Sequence, residues 1–122
     1  MILNFESEKP IYLQLAESIE DDILKGIFLE EEQILSTTEI SVSMKINPAT
    51  AGKGIHLLVD EGILYKKRGV GMFVKSGAKN SILRKRKRKF FEDYIAVLLE
   101  EAGKINITKT EIIEMIERGT VI

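Results

Sequence analysis

The chain contains no cysteine, which excludes disulfides, thiolate metal sites and cysteine nucleophiles. It has one histidine, His56, so a metal centre has little to build on. No apolar run approaches the roughly 18 residues that a bilayer span requires. The opening stretch MILNFESEKP lacks the basic start and apolar core of a signal peptide, so a cytoplasmic location is expected. The glycine pairs in GKG and GVG never extend to G-x-G-x-x-G, and Lys53 is not followed by Ser or Thr, so there is no P-loop. No nucleophile and base stand in a readable arrangement. Neither an enzyme nor a cofactor is expected.

What is present is unevenly charged. A length of 122 residues fits one domain, or one domain with a small appendage, and 44% hydrophobic with 30% charged residues is ordinary for a globular chain. The net charge of −1 hides a strong segregation. Residues 1–46 carry 10 acidic and 3 basic side chains, whereas residues 47–91 carry 2 acidic and 12 basic ones, a balance of +10. Residues 92–122 return to 7 acidic and 3 basic. A +10 segment supplies local attraction for phosphate whatever the total charge. On charge alone, a merely solvated lysine-rich surface stands beside that reading.

Periodicity divides the chain into short elements. Ile11, Leu15, Ile19 and Ile23 recur every four residues and predict a helix over Pro10–Lys25, stopped by Gly26. Ser36 and Glu39 have capping-box spacing and open a second helix that ends near Met44. Asn47 and Pro48 suit the N-cap and first position of a third helix running to Glu61, with Ala51, Ile55, Leu58 and Val59 as its apolar stripe. Ile63–Lys67 and Met72–Lys75 read as strands joined by a tight turn at Arg68–Gly71. After a linker at Ser76–Asn80, a fourth helix is expected over Ser81–Glu101, ended by Gly103. Thr108 and Glu111 form a second capping box and start a fifth helix, closed by Gly119.

The resulting class is α+β, mainly α. Three helices, the second and third tightly joined, precede a basic hairpin in the order of a winged helix-turn-helix, in which the helix after the turn lies in the major groove. This places a winged unit at residues 1–76 and a linker with a two-helix region at residues 77–122. The stretch NPATAGKG raises a question within this frame. Two glycines in the first turns of a helix each cost about 1 kcal/mol relative to alanine. Gly54 is expected to allow close packing on its own domain. Gly52 is expected to point outward, where a bare backbone either approaches DNA closely or marks a degraded site.

The blocks PIYLQLAESIEDDILKGIF, ILSTTEIS, INPATAGKGIHLLVDEGILY and KKRGVGMFV resemble, in order and spacing, the first helix, second helix, recognition helix and wing of the GntR family of bacterial transcription regulators. The resemblance covers roughly Lys9–Ser76. The short tail resembles the YtrA branch, whose C-terminal part serves dimerisation, since residues 80–122 are too few for a large effector-binding domain. It implies a DNA-contacting set of Ser36, Thr37, Thr38, Asn47, Ala49, Thr50, Lys53, Lys66, Arg68 and Gly69. Two positions depart from the family: Thr38 and Gly52 stand where relatives usually carry arginine. Losing a bidentate arginine removes about 1–3 kcal/mol of discrimination at one base pair.

Phe91, Tyr94, Ile95, Leu98, Ile112 and Ile116 need a cover. They either fold back on the winged unit or bury in a C2 homodimer, and the resemblance favours the dimer. The run RKRKRK, Arg84–Lys89, opens the expected fourth helix, where the macrodipole favours acids, so it calls for phosphate nearby or stands as a solvated face. The acidic residues Glu30–Glu32 read as a solvated loop. The implied function is a homodimeric repressor on a palindromic operator in double-stranded DNA, in the manner of regulators of transporter operons. An unidentified small-molecule effector stays open, and no membrane partner is expected. The alternative is a winged-helix protein-interaction module whose DNA surface has decayed at Thr38 and Gly52.

Overall fold

The computed structural model describes residues 1–119; residues 120–122, at the end of the expected C-terminal region, lie outside the described residues. The described residues fall into two compact units, one spanning Met1–Leu83 and the other starting at Arg84.

In the first unit, helix α1 (Ile11–Leu24) turns Leu15, Ala16, Ile19 and Ile23 into the core, as the four-residue stripe predicts. Its end is hydrogen-bonded in the Schellman pattern, Gly26 N–H to the Ile23 carbonyl at 3.1 Å and Ile27 N–H to the Asp22 carbonyl at 2.8 Å. Helix α2 (Thr37–Met44) opens with the expected capping box. Glu39 N–H donates to Ser36 Oγ and Ser36 N–H to Glu39 Oε1, both at 3.0 Å. The connection to α3 (Pro48–Asp60) is tight. Lys45 takes a left-handed conformation, and buried Ser41 donates its hydroxyl to the Ile46 carbonyl at 2.8 Å. Asn47 caps α3, its Oδ1 accepting from Ala49 N–H at 2.8 Å.

Strands β1 (Leu64–Lys67) and β2 (Gly71–Val74) pair antiparallel in the register Leu64–Val74, Tyr65–Phe73, Lys66–Met72 and Lys67–Gly71. The incoming loop runs along the other edge of β2. Glu31 N–H donates to the Val74 carbonyl at 2.7 Å, Val74 N–H to Glu32 at 3.0 Å, and Ile34 N–H to Met72 at 2.9 Å. One core joins these pieces: Leu15, Ile19, Ile40, Ala51, Leu58, Ile63, Leu64 and Val74 are all buried within it. Each such large aliphatic side chain removed from water contributes about 1.5–3 kcal/mol.

The chain beyond the hairpin differs from expectation. Helix α4 (Ala78–Phe90) starts three residues early, because Ala78 and Ile82 belong to the core of the first unit. The Ser76–Asn80 linker is therefore only a short connection. A π-helical turn, Phe91–Ile95, leads into α5 (Ala96–Lys104), which runs through Gly103 rather than ending there. Asn106, left-handed at φ +59°, makes the turn instead. Helix α6 (Lys109–Arg118) begins with the expected box, Glu111 N–H to Thr108 Oγ1 and Thr108 N–H to Glu111 Oε1, each at 3.2 Å.

The two glycines of α3 have different surroundings. A Cβ on Gly54 would lie 2.9 Å from the Tyr12 carbonyl oxygen and 3.1 Å from Leu15 Cδ2, so α3 meets α1 through bare backbone. A Cβ on Gly52 would meet only the Thr37 methyl, at an ordinary 3.8 Å. Gly52→Ala is therefore expected to raise unfolding free energy by about 0.5–1 kcal/mol, through helix propensity alone. Gly54→Ala should lower it by about 1–2 kcal/mol, since overpacking outweighs the propensity gain. Urea unfolding of the two variants measures both; shifts of the same sign would contradict this packing.

Candidate nucleic-acid interface

The outward side of α3 follows from the seating of its inner side. With Ala51, Gly54, Ile55 and Leu58 buried, the exposed residues recur as Ala49, Lys53, His56 and Asp60, flanked by half-buried Thr50 and Gly52. Asn47 heads this stripe. Its carbonyl is spent on the cap, which leaves its amide N–H groups as the donors a groove would meet. Lys53 does not hang free: its Nζ lies 4.1 Å from the centroid of the Tyr12 ring on α1. Such a cation–π contact is worth about 0.5–1 kcal/mol at an exposed site and holds the ammonium at a defined place. His56 approaches Asp60 at 3.9 Å.

Thr37, at the start of α2, faces Gly52, so the structure brings the first turn of α2 beside the first turns of α3. Ser36 has its Oγ lone pair and its N–H committed to the capping box. What it can offer a phosphate is the hydroxyl proton. The remaining first-turn N–H groups of a helix have no partner within that helix. Thr38 is exposed on the same turn.

The hairpin separates its lysines by alternation. Lys66 lies on the face of Leu64 and Val74, out beyond the buried pair; Lys67 lies on the opposite face with Tyr65 and Phe73. The outer face is a stack: the Tyr65 and Phe73 rings lie 5.8 Å apart at 25°, and Lys67 Nζ sits 4.4 Å from the Phe73 centroid. Arg68 and Gly69 are exposed at the tip, closed by Val70 N–H to the Lys67 carbonyl at 3.0 Å. Gln33 anchors the tip by donating its side-chain amide to the Val70 carbonyl at 3.0 Å. A Cβ on Gly71, where φ is +147°, would run into this amide, so any larger residue there is strained and must displace the Gln33 side chain.

Several of these residues escaped sequence reasoning. Tyr12 acts on Lys53 and Gln33 on Val70, partners about forty residues away along the chain, and no local pattern marks either one. The acidic loop is exposed, as expected, but it is more than solvated charge. Glu30–Glu32 lie at the surface, but their carboxylates are bound. Glu31 accepts from Tyr65 Oη at 2.7 Å and Ser76 N–H at 3.1 Å, Glu30 from Gly77 N–H at 2.7 Å, and Glu32 from Leu29 N–H at 3.0 Å. By accepting the phenol's hydrogen bond, Glu31 raises the Tyr65 pKa above its ordinary value of 10.0; slight desolvation and the carboxylate's charge add to this. The basic run is corrected. With α4 starting at Ala78 and the helix continuing through Phe91–Ile95 into α5, Arg84–Lys89 lies in the interior of a continuous helical run and not at its start, so no helix end opposes its charge.

In the second unit, Phe91, Tyr94, Leu98 and Ile116 are exposed, while Ile95 and Ile112 are half-buried. Among the described residues, Ala102 is the one apolar side chain of this unit that is buried. Between α5 and α6 lies a groove of about 340 Å³, lined by Leu98, Ala102, Ile105, Ile112 and Ile116 among others. The π-helical turn brings the Phe90 and Tyr94 rings to 5.2 Å, and Lys89 bridges to Asp93 at 2.8 Å. Among the described residues, no group of three or more His, Asp or Glu could hold a metal ion, and no helix is long and apolar enough to cross a membrane.

No protein-family model matches the chain. The HTH-type transcriptional regulator YhcF of Bacillus subtilis is 28% identical over 116 residues, 95% of this chain and 94% of YhcF. YurK of the same organism is 37% identical over 75 residues, and there the match spans only 31% of the relative's length. Among solved structures, YtrA of Sulfolobus acidocaldarius, a GntR-family transcription factor, is 28% identical with a TM-score of 0.60, covering 97% of this chain and 94% of that one. A GntR-family transcriptional regulator of Bacteroides thetaiotaomicron is 36% identical with a TM-score of 0.75, covering 88% of this chain and 93% of that structure. With the winged architecture and the short two-helix tail matched together, this chain belongs to the GntR family of transcriptional regulators.

Proposed function

We propose that the chain is a cytoplasmic, homodimeric, non-enzymatic DNA-binding repressor of the YtrA branch. Residues 1–76 read the operator and residues 77–122 serve dimerisation. One observation carries the DNA reading: a single unit presents the outward stripe Asn47–Ala49–Lys53 of α3, the adjoining first turn of α2, and a tip-anchored basic hairpin. A recognition helix enters the major groove by its N-terminal residues, which here are Asn47, Ala49 and Thr50. Ser36, Thr37 and Thr38 then lie toward the phosphate backbone, and Lys66, Arg68 and Gly69 border the neighbouring groove. The wing and helix termini carry the electrostatic share of affinity, so the absence of arginine at Thr38 and Gly52 changes which operator is read rather than whether DNA is bound. Control of a transporter operon follows from the family resemblance.

The exposed tail surface supports the dimer. Phe91, Tyr94, Leu98 and Ile116 form more uncovered apolar area than a two-helix unit of this size can leave in water. A C2 axis through this surface would pair two recognition helices on the half-sites of a pseudo-palindrome.

Binding of the native chain to its own promoter region, measured by fluorescence anisotropy at two salt concentrations, should show a steep salt slope and a sequence preference. Arg68→Ala and Lys53→Ala should each lower that slope by about 1 and weaken the footprint. A flat salt dependence with no preferred sequence would favour a protein-interaction module instead.

Tyr94→Asp and Ile116→Asp place charge at residues exposed in the protomer, so each should convert a dimer to a monomer in analytical ultracentrifugation while keeping the helical signal of the winged unit. A native chain that sediments as a monomer at micromolar concentration would refute the tail assignment.

A further inference from the structure

The acidic loop before α2 carries three consecutive carboxylates, a charge that opposes a phosphate-binding surface, and it touches the wing at three levels. At the base, Glu31 N–H bonds the Val74 carbonyl at 2.7 Å, while Glu31 Oε1 takes Ser76 N–H at 3.1 Å. On the outer face, Glu31 Oε2 takes the Tyr65 hydroxyl at 2.7 Å. Tyr65 stacks on Phe73, and Phe73 lies beneath the Lys67 ammonium. At the tip, Gln33 holds the Val70 carbonyl at 3.0 Å. Glu30 closes the exit from the wing. Its two carboxylate oxygens face Gly77 N–H at 2.7 Å and Lys79 N–H at 3.4 Å, supplying the negative charge that the N-terminus of α4 favours. Glu31 is left-handed at φ +68°, a conformation that residues with a Cβ seldom keep unless their surroundings impose it.

A two-stranded hairpin is marginal by itself, so the placement of its tip depends on what grips its flanks. We propose that Glu31 forms a carboxylate latch that fixes the wing against the winged unit, making it a positioning residue for contact between Arg68 and DNA, while Glu30 holds the chain where it leaves the wing. The proposal rests on the reading of the hairpin tip as DNA-contacting. The carboxylates act from behind the wing. Their charge is spent on backbone and phenol donors, and the path Glu31–Tyr65–Phe73–Lys67 carries the hold of Glu31 to within one residue of Arg68. The raised Tyr65 pKa agrees with a phenol committed to this bond.

The test uses Glu31→Gly, which relieves the left-handed backbone while removing the carboxylate. A residue that merely supported folding would lose affinity in step with stability; here the two separate. The full-length variant is expected to melt no lower than the parent, because glycine accepts φ +68° freely. Amide exchange at Ser76 should quicken by about tenfold or more as its acceptor is lost. DNA affinity should fall. In a double-mutant cycle, Arg68→Ala should cost about tenfold in the native background and under about threefold in Glu31→Gly, because an unlatched tip no longer delivers the guanidinium. Glu31→Gln, which keeps one acceptor, should recover part of the loss. Equal Arg68→Ala costs in both backgrounds, or unchanged Ser76 exchange, would overturn the latch. An Arg68→Ala change without cost in the native chain, with Ser76 exchange still quickened, would instead locate the failure in the reading of the wing and overturn the positioning role with it.

Discussion

The contact of α3 with α1 at Gly54 governs the presentation of the candidate reading surface. Two helices packed through ordinary side chains keep their axes 8–10 Å apart, and a glycine at the crossing lets them come closer. Here the Tyr12 carbonyl and the Leu15 side chain occupy the space that a Cβ would take. The rotation of α3 about its own axis is thereby set, because Ala51, Ile55 and Leu58 must all face the same core. Asn47, Ala49 and Lys53 face outward as a consequence. Tyr12 contributes twice, with its backbone limiting the approach of α3 and its ring lying under the Lys53 ammonium. The packing of the domain and the position of its most central basic side chain thus depend on one residue of α1.

Charge in this protein is divided by task rather than averaged. The acidic residues near the candidate surface are mostly engaged within the fold: Glu39 caps α2, Glu31 holds Tyr65 and Ser76, and Glu30 meets the first turn of α4. A carboxylate that accepts two N–H or O–H bonds costs an approaching phosphate less than a free one, because its field is partly compensated at close range. On the wing, Lys67 rests on the Phe73 ring and Lys66 stands exposed on the opposite face. This arrangement reconciles a net charge near zero with a strongly basic central segment.

The second unit has a different balance. Helix α6 opens with a capping box, yet the helices of this unit bury almost none of their apolar surface against each other. Capping boxes satisfy backbone groups at a helix start, but most helical stability in proteins comes from a packed face. The exposed aromatic and aliphatic side chains of Phe91–Leu98 and Ile112–Ile116 are suited to association, and the π-helical turn resets the phase of the helix by an extra residue among them.

What the sequence determined by itself was local. Both capping boxes, the Asn47–Pro48 helix start, the hairpin glycines and the four-residue stripe of α1 are patterns whose partners lie within a few residues, so the chemistry of neighbours is enough to place them. The close approach at Gly54 was legible too, because only glycine permits it. What tertiary structure alone decided involves partners far apart in the chain. Ala78 and Ile82 extend α4 backwards because the core of the first unit has room for them. Gly103 stays helical, and the turn passes to Asn106. Glu30 and Glu31 look like solvated charge until the chain folds and brings Tyr65, Ser76 and Gly77 to their oxygens, more than thirty residues away. A surface carboxylate and a structural one have the same sequence signature; only the donors that folding delivers distinguish them.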